Sequence, residues 1–363
     1  MNIIYILIPI TLLIYILVYG ILYYNLRTIK YHKCILKPHS TLLYSVLNRN
    51  RFVRDTKDFD LYMTCGYNDA EVELEEMDVP KSKYIFALKG CDEIVSKNNL
   101  WFILERTYGR SGASKLIPES YLIEDINQFN MAINKLRNKE ILICKKNLQR
   151  KLGLKFAFRP RDLVEAKADE FTVAQVFLKN SKMIKNRKLN LRVYYAIKKV
   201  NNKIEFFVNS NGKVLYTKEK TNGEVKFESH ITSYQMDSEL YEKENLPHSF
   251  KELKEFWGEN EFNKIWMKIL LKIKFLSSAI APVFDNDKFK DKVCFQLFGM
   301  DVIIDGNEPF ILEINKGPDM IPKCKKDKPL KEAIYEEIFN LSGILPRPFK
   351  KNNFELIYST YFN

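Results

Sequence analysis

Residues 3–24 carry no charged side chain, and nearly every position is Ile, Leu, Val or Tyr. About 20 such residues suffice to cross a bilayer as a helix, so the run predicts a single-pass transmembrane anchor. Arg27, Lys30, Lys33 and Lys37 follow it directly, which predicts a body facing the cytoplasm. Residues 31–45 show no period. Beyond them strand-like and helix-like stretches alternate. Residues 58–64 and 84–88 read as strands. A helix starts at Ser96, with Leu100, Trp101, Ile103 and Leu104 on its apolar side. Residues 125–136 predict a helix, and 140–144, 172–178 and 187–194 predict strands. A hairpin is expected from 204–208 and 214–216 around Ser210-Asn211-Gly212-Lys213. Ser249 caps a short helix that Gly258 ends. Residues 261–281 follow, apolar at Phe262, Ile265, Trp266, Ile269, Leu270, Ile273 and Leu276, a helical period that should pack on a sheet. Residues 296–304 and 310–315 are strands joined by Asp305-Gly306-Asn307, and 330–341 closes the chain as a helix. This alternation predicts an α/β (α+β) fold.

At 363 residues the chain can form two or three domains, and its 46% hydrophobic content excludes a disordered protein. The formal net charge of +13 favours an acidic partner. Basic residues interleaved with aromatics on strands are missing, so nucleic acid is not expected. The six cysteines form no C-x-x-C pair, which predicts reduced thiols and no zinc site.

The chemistry gathers in residues 295–320. Glu313 and Asn315 lie two apart on a strand and share a face. Pairing across the turn brings Asp301 opposite Glu313 within about two residues. Asp, Glu and Asn oxygens together suit magnesium, which takes its other ligands from phosphates and water; an exposed polar hairpin face would look the same. Lys188, Asn190 and Arg192 also share one strand face. Two cations on an inner face are costly to bury unpaired, so either an anion meets them or the face is open to solvent.

These segments resemble, in order, the blocks of the tubulin–tyrosine ligase-like family: FGMDVIIDGNEPFILEINKGP, RKLNLRVY, HITSY and the stretch around Pro118. The resemblance implies an ATP-grasp fold behind a small N-terminal α/β domain. The expected layout is anchor and flank 1–26, N-terminal domain 27–135, central ATP-grasp subdomain 136–220, and a C-terminal subdomain with the magnesium site, 221–363. It implies magnesium at Asp301, Glu313 and Asn315, with Arg192, Glu313 and Asn315 catalytic. ATP would be held by Lys145, with Lys146 as fallback, and by Gly153, Gln175, Phe177, Leu178, Lys188 and Asp301. His230, Thr232 and Lys213 would line the substrate site. The implied activity joins a free amino acid of Glu, Gly or Tyr type to an acidic protein acceptor, a tubulin-like tail among them, through an acyl phosphate. The chain departs from the family in a loop with one glycine, in Asn190 for Asp, and in two missing substrate arginines. These departures keep two alternatives open: a membrane-tethered ATP-binding protein without catalysis, and a ligase of small molecules. The basic cluster Lys323, Lys325, Lys326 and Lys328 is either a solvated loop or a contact for the acceptor.

Overall fold

The computed structural model describes residues 13–18, 28–32, 40–66, 70–147, 153–232, 239–286, 288–345 and 352–362. In chain order its first elements are β1 (Ile29–Tyr31), α1 (Thr41–Arg49), β2 (Phe52–Arg54), β3 (Leu61–Met63), α2 (Ala70–Glu76), β4 (Tyr84–Phe86), α3 (Cys91–Val95) and α4 (Lys97–Ala113). Then come β5 (Ser120–Leu122), α5 (Ile126–Arg137), β6 (Leu142–Lys145), β7 (Leu154–Ala157), α6 (Pro160–Ala168), β8 (Val173–Val176) and β9 (Met183–Ile184). The rest comprises β10 (Arg187–Val200), β11 (Lys203–Tyr216), α7 (Phe227–His230), α8 (Glu239–Lys243), α9 (Phe250–Trp257) and α10 (Glu259–Ile280). It continues with β12 (Val293–Asp305), β13 (Glu308–Asn315), α11 (Asp327–Ser342) and β14 (Phe354–Tyr361).

A large mixed sheet runs β14-β11-β10-β12-β4-β3-β1-β2, with β13 paired to β12 and β9 to β10; a small sheet runs β5-β8-β6-β7. Alternation along β10 explains how the large sheet is covered. Leu189, Leu191, Val193, Tyr195 and Ile197 face one core with Trp101 of α4 and Ile269 and Ile273 of α10. Tyr194 and Ala196 face a second core with Val46 of α1 and Ile338 and Phe339 of α11. On that second face the strand turns polar toward its start, at Arg192, Asn190 and Lys188, and there the sheet meets a cavity rather than a helix. A separate core of Tyr121, Leu136, Leu142, Ala157 and Leu163 holds the small sheet to α5 and α6.

Several expectations are corrected. Of the run 3–24 only residues 13–18 are described; they are helical and exposed. The rest of that run, on which the expected anchor depends, lies outside the described residues; among the described residues no helix is long and apolar enough to cross a membrane. The hairpin within 204–216 does not form, because β11 runs unbroken from Lys203 to Tyr216 beside β10. Its turn-like residues sit where the register shifts between Val193 and Tyr195. Gly212 is needed there for space: a Cβ on it would lie 2.3 Å from the Phe250 ring. Ser96 holds the N-cap position of α4, yet its side chain makes no cap bond; the hydroxyl donates instead to Asn98 at 2.7 Å. Cys91, Cys144, Cys294 and Cys324 are free thiols, whereas Cys65 is disulfide-bonded, against the expectation of reduced thiols.

Candidate active site

A cavity of about 420 Å³ lies between the two sheets. The small sheet lends it Ile143, Lys145, Leu154, Gln175 and Val176; the large sheet lends Lys188, Asn190, Arg192, Lys213, Asp301, Glu313 and Asn315. Strand register sets the order of the charged groups. Lys213 stands opposite Arg192, Arg192 opposite Asp301, and Asp301 opposite Glu313. Directly opposed residues share a sheet face, with strands about 5 Å apart. One transverse row across four strands therefore reads Lys213, Arg192, Asp301, Glu313.

Arg192 donates to both oxygens of Asp301, from Nε to Oδ1 at 2.5 Å and from Nη2 to Oδ2 at 3.2 Å. Burial opposes the charge on Arg192, but Asp301 more than compensates and raises its pKa. Burial also pushes the Asp301 carboxyl up, against the pull of Arg192. Arg192 has room to lie across the sheet because residue 299 is glycine: a Cβ there would come within 3.0 Å of Arg192 Cδ and of Pro318. A register shift between Asp301 and Val302 leaves Leu312 unpaired. It turns Leu312 toward the cavity beside Glu313, so the strict alternation expected for 310–314 fails at this point. Asn315 donates to Glu313 Oε1 at 3.3 Å. Lys97, at the start of α4, pairs with Glu313 at 3.4 Å. Burial raises the Glu313 pKa, but the charges of Lys97 and Lys145, with Asn315 and Arg192, outweigh it and hold the group below its ordinary range.

Lys145, at the end of β6, donates to Gln175 Oε1 at 2.7 Å, and Gln175 is fixed in turn by donating to Ser120 Oγ at 3.0 Å. Burial lowers the Lys145 pKa to about 8. Lys188 is likewise lowered by burial to about 8, and its ammonium sits 4.3 Å from the centre of the Phe177 ring. The His230 ring packs against Phe177 with centroids 5.4 Å apart; burial and the charge of Lys188 lower its pKa. Thr232 accepts a hydrogen bond from Asn190 at 2.8 Å. Asn190 thus serves as a neutral donor where an Asp could only accept.

The cavity gathers Lys145, Gln175, Phe177, Leu178, Lys188, Arg192, Lys213, His230, Thr232, Asp301, Glu313 and Asn315. Lys146 and Gly153 are not on its wall. They close the β6–β7 loop, where the Lys146 N–H donates to the Gly153 carbonyl at 2.8 Å. A Cβ on residue 153 would strike Lys146 at 2.7 Å, so this glycine serves a close backbone approach. Arg150 and Lys151 of that loop lie outside the described residues. Lys97, Lys331 and Asp327 were not legible as site residues, because helices remote in sequence deliver them. Of the basic cluster, Lys323 reaches the cavity, while Lys326 pairs with Glu252 at 2.9 Å.

Two sheets closing on a cleft with converging carboxylates, an amide and cations make a mixed α/β protein whose architecture is consistent with the ATP-grasp-like class. The model of the Tubulin-tyrosine ligase family matches residues 76–353, and the chain belongs to that family. It is 22% identical over 291 residues to tubulin polyglutamylase ttll-4 of Caenorhabditis elegans, covering 75% of this chain and 47% of that protein. It is 28% identical over 188 residues to the probable tubulin polyglutamylase TTLL2 of Homo sapiens, covering 48% and 31%. To tubulin polyglutamylase TTLL7 of Xenopus tropicalis it is 24% identical over 265 residues, covering 65% and 29%. The chain thus spans less than half the length of these relatives.

Proposed function

We propose that this chain is an ATP-dependent ligase that joins an amino acid to an acidic protein acceptor. The observation that carries the reading is the transverse row Lys213, Arg192, Asp301, Glu313 facing one cavity, with Lys145 and Lys97 across from it. Family membership and the glutamylase names of the relatives support the reaction type. The net charge of +13 supports an acidic acceptor such as a tubulin-like tail.

In this reading the apolar end of the cavity, with Ile143, Leu154, Phe177, Leu178 and Ile303, takes the adenine. Lys145 and Lys188 meet the phosphates, and Arg192 meets the terminal one. The donor set Asp301, Glu313 and Asn315 fits magnesium, being oxygen ligands on one strand pair. Held by those residues, magnesium would supply Lewis-acid neutralisation of charge on the group in transfer. The protein's own cations act where charge develops on the phosphoryl group. The acceptor carboxylate attacks the terminal phosphorus and ADP leaves; the amine then attacks the acyl phosphate carbonyl, phosphate leaves, and the amine gives up a proton to solvent. Incubation with magnesium, ATP, labelled glutamate, glycine or tyrosine, and an acidic peptide tests the reading. Label in the peptide with matching ADP release supports it; ADP release without label in any peptide removes the ligase.

A further inference from the structure

The far end of the cavity holds a second charged assembly. Asp327, at the start of α11, is fully buried, and Lys213 and Lys331 beside it are 7% and 2% exposed. Lys213 donates to both Asp327 oxygens, at 2.7 and 2.8 Å. Lys331 donates to Asp327 at 3.1 Å and to the Ile321 carbonyl at 2.8 Å. The Lys323 N–H adds a bond at 3.0 Å, and His248 Nε2 lies 3.0 Å from Asp327 Oδ1. His248, Cys324 and Asp327 are ligand types within 4.8 Å of one another. Two ammonium groups on the same carboxylate nevertheless make the spot hostile to a metal cation.

The charges do not balance. Lys213 and Lys331 face a single buried carboxylate, and both line the cavity. The other acid at this end, Asp319, is paired with Lys323 at 3.2 Å. One surplus positive charge is left in a largely desolvated place, which is costly unless an anion meets it. Burial accordingly pulls the Lys331 pKa down. The register adds a direction: Lys213 is the cross-strand neighbour of Arg192, one strand away, about 5 Å.

Resting on the ligase reading, we infer that Lys213 and Lys331, fixed by Asp327, form a subsite for a carboxylate of the second substrate, one strand from the phosphoryl end. Asp327 is a positioning residue: it touches no substrate and sets both ammonium groups. Two sources offer that carboxylate, the free amino acid and an acidic acceptor side chain.

The test is calorimetry on the full chain with magnesium and a non-hydrolysable ATP analogue bound. The probes are L-glutamate, glycine, L-tyrosine, glycinamide, and a peptide of consecutive glutamates with blocked ends. At least one carboxylate probe should bind, and glycinamide should not. Lys331→Gln and Lys213→Gln should each weaken that binding at least about tenfold, the worth of one charge-assisted bond, while Lys331→Arg should stay within about threefold of wild type. Binding of an amino acid alone identifies the incoming amino acid, and binding of the peptide alone identifies the acceptor; either supports the subsite. Wild-type affinity in both Gln variants, or no carboxylate binding beside normal nucleotide binding, overturns it. Failure of the wild type to bind the analogue counts against the ligase reading itself, and the melting temperature of each variant separates misfolding from lost contact.

Discussion

Replacing Arg192 by Leu should separate what the Arg192–Asp301 pair does for the fold from what it does for nucleotide. The two side chains are 17% and 12% exposed. Removing one partner of a buried pair typically costs about 3–5 kcal/mol, because the other charge stays buried alone. The pair borders a cavity that admits water, which places the estimate near about 3 kcal/mol. At about 2 °C per kcal/mol for a chain of this size, the melting temperature should fall by about 6 °C. The Asp301 carboxyl, already pushed up by burial, loses its main counter-charge and should rise further. The loss should therefore shrink as pH is lowered and Asp301 protonates. Adding Asp301→Asn should return most of the stability, since no charge is then left unpaired. It should not return nucleotide affinity, which loses at least about tenfold with the charge-assisted contacts of Arg192. Thermal denaturation and calorimetry with a magnesium-bound ATP analogue read the two effects. An Arg192→Leu protein that melts like wild type and binds nucleotide equally well would refute the reasoning.

Gly299→Ala places a methyl 3.0 Å from both Arg192 Cδ and Pro318. It should cost about 1–3 kcal/mol and weaken nucleotide binding through a displaced Arg192, measurable by urea denaturation and calorimetry. Lys145 and Lys188 both titrate near about 8, and bound phosphates favour their charged forms. Nucleotide affinity should therefore fall as pH rises above about 8, and binding near that pH should take up protons, seen as an enthalpy that varies with buffer. For stability the sign is opposite. Burial lowers the folded pKa of Lys145 from 10.5 to about 8, so the unfolded chain binds more protons in that window and this group adds stability as pH climbs through it. A Lys145→Met variant should flatten both pH trends in denaturation and binding curves, leaving the part that Lys188 carries.

Much of the site was legible because period-two strands fix faces without knowledge of the fold. Lys188, Asn190 and Arg192 on one side follow from alternation alone, and Asp301 near Glu313 follows from pairing across the turn. The α10 stripe at Ile265, Ile269, Ile273 and Leu276 was equally clear and is buried. Legibility ended where tertiary packing overrides local chemistry. Ser210 to Lys213 reads as a turn, yet Phe250 packing over Gly212 keeps β11 extended. The shift that turns Leu312 inward belongs to a strand pair and not to a local pattern. Lys97, Lys331 and Asp327 come from helices whose docking no short window encodes. β14 pairs through backbone groups with β11, and its sequence has no clean alternation to announce it.

The most direct test of the central claim compares wild type with Glu313→Gln in one assay of ADP release and label transfer. Glu313→Gln keeps size and shape but removes the carboxylate that sits between Lys97, Lys145 and Asn315. The wild type should release ADP in step with label entering an acidic peptide. The variant should melt within a few degrees of wild type, roughly 2 °C for a loss of about 1 kcal/mol, and release none above background. Undiminished ADP release and label transfer by a folded Glu313→Gln protein would contradict the account.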